Sequence, residues 1–392
     1  MPEFKESRRA SIRLLFNGVN VTENIAENIT SFSYTDNTSD RADDLQIELE
    51  DRDGRWTTNW YPQLRVEVDD TAVSSGSKIT ADIIVENWNS DGTAETLPCG
   101  SFECDEIDFD GPPDTVKIKA VSVPGTSKLR TQRNTRGWED VRLSRVGEDM
   151  ASRNGMEFEF YGGHDPDYDR LDQLQTPDMA YLQQLCTDSG LSLKATGTKI
   201  VIFDQHEFES KPAAFDVVKG SSNIISYSFK NKTNGTFSKA TVTYRDSKSG
   251  QTVNTTFQPD DISPDDERPE LILNVRPPRL PEVPARQPAT GASGRFDPSL
   301  DPTGQNFADI LDTRAKDTTR RQARAALREQ NKNENTAEFV LLGDIRANGG
   351  VTFNVKGFGR FDGKYIIDTA KHSTNNDGYI TTINCHKVLR GY

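Results

Sequence analysis

Apolar residues fall at every second position along much of this chain, and that period constrains the fold more than any other feature. Ile12, Leu14 and Phe16 alternate with polar neighbours, and Asn17-Gly18 follows as a turn. Leu45, Ile47 and Leu49 alternate with Gln46, Glu48 and Glu50, which gives one apolar face and one acidic face. The period returns at Leu64, Val66 and Val68, at Ile83 and Val85, and at Val116, Ile118 and Ala120. Short strands at close spacing, broken by turns such as Asp53-Gly54, predict an antiparallel barrel or sandwich over residues 1–130.

Residues 131–204 change character and read as a small α+β insert. After Trp138-Glu139-Asp140, Val141, Leu143, Val146 and Met150 approach helical spacing, with Gly155 as the stop. Thr176 is placed to cap a second helix and Pro177 to occupy its first turn. Met179, Leu182 and Leu185 share one face of that helix, and Gly190 ends it. Leu191–Leu193 and Lys199–Phe203 flank the Gly197 turn as a hairpin.

Residues 205–258 return to β, with Ile225, Tyr227 and Phe229 alternating, then Ala240, Val242 and Tyr244. Residues 259–302 hold ten of the 19 prolines and read as an extended arm, because proline lacks the N–H that a sheet interior needs. Residues 305–332 form a predicted helix. Phe307, Ile310 and Leu311 share a face near its start; Arg314, Arg320, Arg321, Arg324 and Arg328 make its later part basic. Basic side chains late in a helix suit its dipole, and they also suit an acidic partner surface, such as residues 1–130 of a neighbouring copy. Residues 335–392 supply closing strands, among them Val351, Phe353 and Val355, with turns at Phe361-Asp362-Gly363 and Asn376-Asp377-Gly378. The expected class is therefore mainly β: two antiparallel barrels, the second interrupted by the arm and one long helix.

Charge narrows the function. The 392 residues carry a formal net charge of −14. Residues 1–130 hold 25 acids and 13 bases, net −12, and residues 131–392 hold 36 and 34, net −2. An acidic chain repels phosphates, so general nucleic-acid binding is disfavoured. No apolar run approaches the roughly 20 residues that span a bilayer, and the N-terminus lacks the apolar stretch of a signal peptide. Cys99 and Cys104 make one C-x4-C with no second pair to complete a zinc site, so free thiols and no metal or cofactor are expected. His164-Asp165-Pro166-Asp167-Tyr168-Asp169 opens like a calcium loop, but Arg170 stands where glycine is needed and Thr176 where glutamate is needed. No nucleotide-binding, zinc-protease or serine-hydrolase pattern occurs.

Several segments together resemble the phage late control gene D family. These are hubs of contractile tails, related to the N-terminal half of the type VI secretion spike protein and to the T-even phage hub. The resemblance lies in Ala42–Trp56 (ADDLQIELEDRDGRW), Gly100–Ile107 with Gly111–Val116, Leu174–Leu191, and FDGKYIIDTAKH with the later GYITT in Gly357–Tyr379 and beyond. It implies two barrels like those of tail-tube proteins in each copy, and a trimer that joins a hexameric tube to a trimeric central spike in the virion baseplate, assembled in the host cytoplasm. Implied partners are the tube, spike and wedge proteins, the tape measure protein, and passing DNA without specific binding. Spike tip and wall hydrolase are expected to be separate proteins. In that setting the acids Asp43, Asp44, Glu48 and Glu50 become candidate channel-wall residues that repel DNA. The alternatives are the hub of a phage-derived injection system or tailocin, and, in another class, a tail-associated peptidoglycan hydrolase.

Overall fold

A computed structural model of the chain describes residues 7–22, 26–39, 41–52, 54, 77–88, 90–123, 127–221, 223–245, 252–263, 265–274, 307–375 and 378–392; the side chains at 169 and 307–318 fall outside that description. The strand expected over Leu64, Val66 and Val68, the turn positions Asp53 and Asn376-Asp377, residues 275–304 of the arm and the first two positions of the expected helix, 305 and 306, lie outside the described residues.

The first seven strands are β1 (Arg9–Phe16), β2 (Val19–Asn20), β3 (Ile29–Asn37), β4 (Asp44–Glu50), β5 (Lys78–Glu86), β6 (Ala94–Asp110) and β7 (Thr115–Val121). All pair antiparallel. Alternation sets Leu45, Ile47 and Leu49 of β4 opposite Ala120, Ile118 and Val116 of β7, and none of the six is more than 1% exposed. Leu14, Phe16, Phe32, Ile79, Ile83 and Phe102 complete this first core.

The α+β part contains α1 (Lys128–Thr131), β8 (Arg133–Arg142), α2 (Leu143–Arg153), β9 (Glu157–Tyr161), β10 (Asp167–Pro177), α3 (Asp178–Ser189), β11 (Ser192–Ala195), β12 (Lys199–Phe203) and α4 (Gln205–Ser210). Here two details depart from expectation. Val141 belongs to a strand, opposite Tyr168 of β10, and the helix begins only at Leu143. Its free N–H groups are served from a distance, because Asp165 accepts from the Ser144 N–H at 3.0 Å and from its hydroxyl at 2.6 Å. In α3, Pro177 is the cap position rather than the first turn, and the Thr176 hydroxyl donates to the Leu174 carbonyl instead of capping. Leu182 and Leu185 are buried, Met179 packs beside them, and Gly190 ends the helix in the left-handed region at φ 73°. β11 and β12 form the expected hairpin, and β12 pairs parallel with β9.

The remaining elements are β13 (Phe215–Val218), β14 (Ile224–Asn231), β15 (Lys239–Arg245), β16 (Thr252–Phe257), β17 (Glu270–Asn274), α5 (Phe307–Asn331), β18 (Asn335–Leu342), β19 (Thr352–Lys356), β20 (Gly363–Asn375) and β21 (Gly378–Lys387). β15 does not join the later strands. With β16 and the parallel β17 it makes a separate three-stranded sheet, where Ala240, Val242 and Phe257 pack with Ala323 and Leu327 of α5. β17 falls within the stretch expected as arm; its pairing to β15 makes it sheet instead.

The molecule is mainly β, and its two sets of strands are fused. Residues Thr369–Asn375 of β20 pair with β3, while its opening residues pair with β19. One 13-stranded sheet results, in the order β14-β18-β21-β20-β3-β4-β7-β6-β5-β1-β2, with β13 and β19 branching from β20. Among the described residues neither half closes into a barrel, and β14 lies at one end of the path. The second core collects Phe339, Leu341, Phe353, Tyr365, Ile367 and Ile383 under this sheet.

Candidate functional site

Because successive side chains point to opposite faces, residues facing the two cores leave a second face that runs unbroken across both halves. Antiparallel partners directly opposite share a face, so the register traces its rows. One row passes through Glu106, Lys119, Gln46, Ser33 and Ser373. A second passes through Asp108, Lys117, Glu48, Ser31 and Asn375. A third runs from Asp44 through Thr35, Lys371 and Thr382 to Val340 and Ser226 of β14. Carboxylates crowd the first half of this face; across the second, hydroxyl and amide side chains alternate with Lys371 and with the apolar Ile380, Leu342 and Val340, which continue the first and third rows.

The acids on β4 and β6 outnumber the cations that face them. Lys117 lies 3.1 Å from Asp110 and 4.0 Å from Glu48; Lys119 lies 2.9 Å from Glu106 and 2.8 Å from Asp108. Glu50 pairs with Arg52 at 2.6 Å. The hydrogen bond from Lys119 holds the Asp108 carboxyl below the usual range; Lys119 is raised in turn by its bonds to Asp108 and Glu106, and Lys117 by its bond to Asp110. Burial raises Asp44, against the nearby positive charges of Arg41 and Arg130. The first half of the face thus stays anionic, with Lys117 and Lys119 held by acids.

Of the four acids expected on a channel wall, Glu48, Glu50 and Asp44 lie on this polar face. Asp43 does not: it is 5% exposed, accepts from the Asn37 N–H at 2.9 Å and sits 3.2 Å from the Lys194 ammonium. Counting back by two from Leu45 puts Asp43 on the core side. The basic helix is also partly committed within the chain. Arg324 donates to the Tyr392 carbonyl at 2.9 Å and Arg328 pairs with Glu209, while Arg320 is exposed and Arg321 half-buried. The side chains of Phe307, Ile310, Leu311 and Arg314 lie outside the described residues.

Two buried polar junctions hold charged side chains that the search for site residues did not single out. At the first, Lys194 of β11 donates to Asp36 of β3 and to the Asn37 carbonyl at 2.8 Å, with Asp43 beside it. The other Asp36 oxygen accepts from the Gly349 N–H at 2.8 Å. Burial pushes Asp43 up to about 6, opposed by Lys194; burial pulls Lys194 down, but Asp36 and Asp43 outweigh it and its pKa is raised. The signal was present, since Asp36 continues the inward positions of Phe32 and Tyr34 and a charge on an apolar face needs a partner. At the second junction His386 of β21 meets Asp368 at 2.8 Å and Glu209 of α4 at 3.6 Å, and Glu209 also holds Arg328 of α5. No sequence pattern points to a contact that joins four elements so far apart in the chain.

The calcium-like segment serves local structure: Asp165 serves the start of α2 and Asp167 pairs with Arg142 at 3.1 Å. Among the described residues no group of three or more His, Cys, Asp or Glu is arranged to hold a metal ion. All four cysteines are free. Among the described residues no helix is long and apolar enough to cross a membrane.

Comparison with known proteins gives this arrangement a class. Over 97% of this chain and 98% of its own, the prophage MuSo2 43 kDa tail protein from Shewanella oneidensis superposes with a TM-score of 0.61 at 14% identity. The tail protein from Neisseria meningitidis MC58 matches 96% of both chains, with a TM-score of 0.63 and 10% identity. The fold is that of phage tail proteins. No family model matches the chain. In sequence it is 31% identical over 182 residues to a protein of Escherichia phage P2 named probable baseplate hub protein, a match over 45% of this chain. The chain spans less than half of that relative's length, 41%. That relative is named as a baseplate hub, and the two solved neighbours as tail proteins.

Proposed function

We propose that this chain is the hub of a contractile-tail baseplate, a trimer that joins the hexameric tail tube to the trimeric central spike. Each copy presents two half-sheets fused through β3 and β20, so three copies present six, which meets sixfold symmetry on one side and threefold on the other. The polar face lines the passage, and its acids keep DNA from adhering. The tube protein, spike, wedge proteins and tape measure protein are the partners, in a virion baseplate assembled in the host cytoplasm. The chain's role is structural, and permanent assemblies of this kind bury roughly 2,000–5,000 Å² per interface.

The observation that carries this reading is the acidic outer face of the first half of the sheet, which runs on into a mixed polar and apolar face in the second, on a fold shared with tail proteins. The acids also favour a passage for DNA over the related injection machine that carries none. Light scattering on the purified chain and electron microscopy of particles from its host test the proposal. Three copies in a ring around the tail axis are expected. A chain that is monomeric in solution and absent from every tail particle overturns it.

A further inference from the structure

We propose that the open edge of the long sheet at β14 is a docking groove for a proline-rich segment, residues 276–288 of a second copy. The inference rests on the hub reading, because it needs several copies side by side. Among the described residues β14 has a paired neighbour on one side only, β18. At that edge apolar surface is left uncovered: Tyr227 is 47% and Ile225 52% exposed. A groove of about 550 Å³ runs beside them, lined in part by Lys219, Gly220, Ile224 and Tyr227.

The rings at this edge define the ligand. Tyr227 stands edge-on to Phe358 at 4.8 Å, and Phe229 stacks on Phe361 at 4.6 Å and leans on Phe358 at 5.2 Å. The Lys219 ammonium lies 5.9 Å from the Phe358 ring. Partly exposed aromatic rings beside a shallow groove are the surface that takes proline-rich chains, whose extended left-handed helix binds with little further loss of entropy.

This chain carries such a segment. Residues 276–288 read RPPRLPEVPARQP, with Pro278, Pro281 and Pro284 three apart. A helix of three residues per turn sets these on one face. The stretch from 275 to 306 lies outside the described residues, and 32 residues at about 3.1 Å each reach on the order of 100 Å, enough to cross to a neighbour. Its two anchors, β17 and α5, belong to the separate sheet and its helix rather than to the strands around β14. A reach of that length covers the chain's own groove as well as a neighbour's; the second copy follows from the hub reading, which sets several copies side by side, and the cross-link between chains separates the two.

The test uses the full chain with Pro278→Ala, Pro281→Ala and Pro284→Ala, so that its own segment does not compete. A fluorescent peptide of residues 275–289 should bind it saturably, and about tenfold more weakly after Tyr227→Ala, with Tyr227→Phe restoring affinity. If Tyr227→Ala does not fold, Ile225→Arg, at an exposed position, should block the groove in the same assay. No binding, or equal binding by a peptide with alanine at the three prolines, overturns the inference; the second result would mean simple strand addition. Mixing Ser226→Cys chains with Arg279→Cys chains, both carrying Cys104→Ser, should give a disulfide between chains. Closure only within a chain carrying both cysteines overturns the second-copy assignment. Failure of the peptide with a chain that is trimeric in particles leaves the hub reading standing; a chain found only as a monomer fells that reading and the second-copy docking with it.

Discussion

Asp36 is the side chain on which three parts of the molecule meet, since β3 carries it, β11 supplies Lys194 and the loop at Gly349 supplies an N–H. Removing one partner of a buried ion pair leaves a charge without compensation, at a cost of about 3–5 kcal/mol. Lys194→Met should therefore destabilise the fold by that amount in urea unfolding. The triple variant with Asp36→Asn and Asp43→Asn should recover most of the loss. A single variant as stable as the parent would show that the junction is solvated. The His386 junction adds a dependence on pH. Burial lowers His386, but Asp368 and Glu209 outweigh it and the pKa is raised; burial raises Glu209, but bonds from His386 and Arg328 outweigh it and the pKa is lowered. A raised histidine contributes in full below its ordinary value of 6.5 and loses that contribution as pH climbs through the folded value. A lowered glutamate contributes above 4.5 and loses it as pH falls through the folded value. Urea midpoints should fall as pH rises above 6.5, and His386→Gln should flatten that slope. A parent profile already flat there would remove His386 as the cause.

Among the elements, α3 shows how one residue sets both a helix end and a packing distance. Gly190 takes a left-handed conformation at φ 73°, and a Cβ there would stand 2.6 Å from the Ala325 Cβ on α5. Gly190→Ala should cost at least about 1–2 kcal/mol from the backbone alone, plus whatever the displaced α5 loses. Gly220, with φ of 83° and no atom within 4 Å of a Cβ, separates the two effects. Gly220→Ala should lower the melting temperature less than Gly190→Ala does, and equal losses would mean that α5 gives way freely. These elements also mark how far the sequence could be read. Period-2 alternation placed β4, β7 and β15, because a strand with one wet face records its orientation residue by residue. Helical spacing and Gly190 placed α3 for the same reason. Alternation also separates Asp43 from Asp44 by parity, which a search for acidic clusters overlooks. It is silent on which strands pair. The contact of β3 with β20 joins Asn37 to Thr369, over 300 residues away, and nothing local encodes it. Val141 illustrates the opposite failure: its spacing fits a helix, but the ladder with β10 extends the strand through Arg142.

At the scale of the whole molecule, the excess of acids in residues 1–130 acquires a location. Glu48, Glu106, Asp108 and Asp110 share the polar face of the sheet with Lys117 and Lys119, each of which already meets two carboxylates. Reversing charge there should leave the core intact, since these side chains point away from Ile47, Val116 and Ile118. Glu48→Lys, Glu50→Lys and Asp108→Lys together should give a chain that unfolds within about 0.5 kcal/mol per site of the parent. The parent should not retain duplex DNA at low salt. The triple variant should retain it, with log affinity falling against log salt at a slope of about −0.9 for each phosphate contacted. In assembled tails the same variant should slow genome delivery while particles form in normal number. If delivery is unchanged in particles that contain the variant, the acids face outward and their repulsion has some other use. If particles fail to form while the isolated chain stays folded, the face is an interface between subunits instead of a wall.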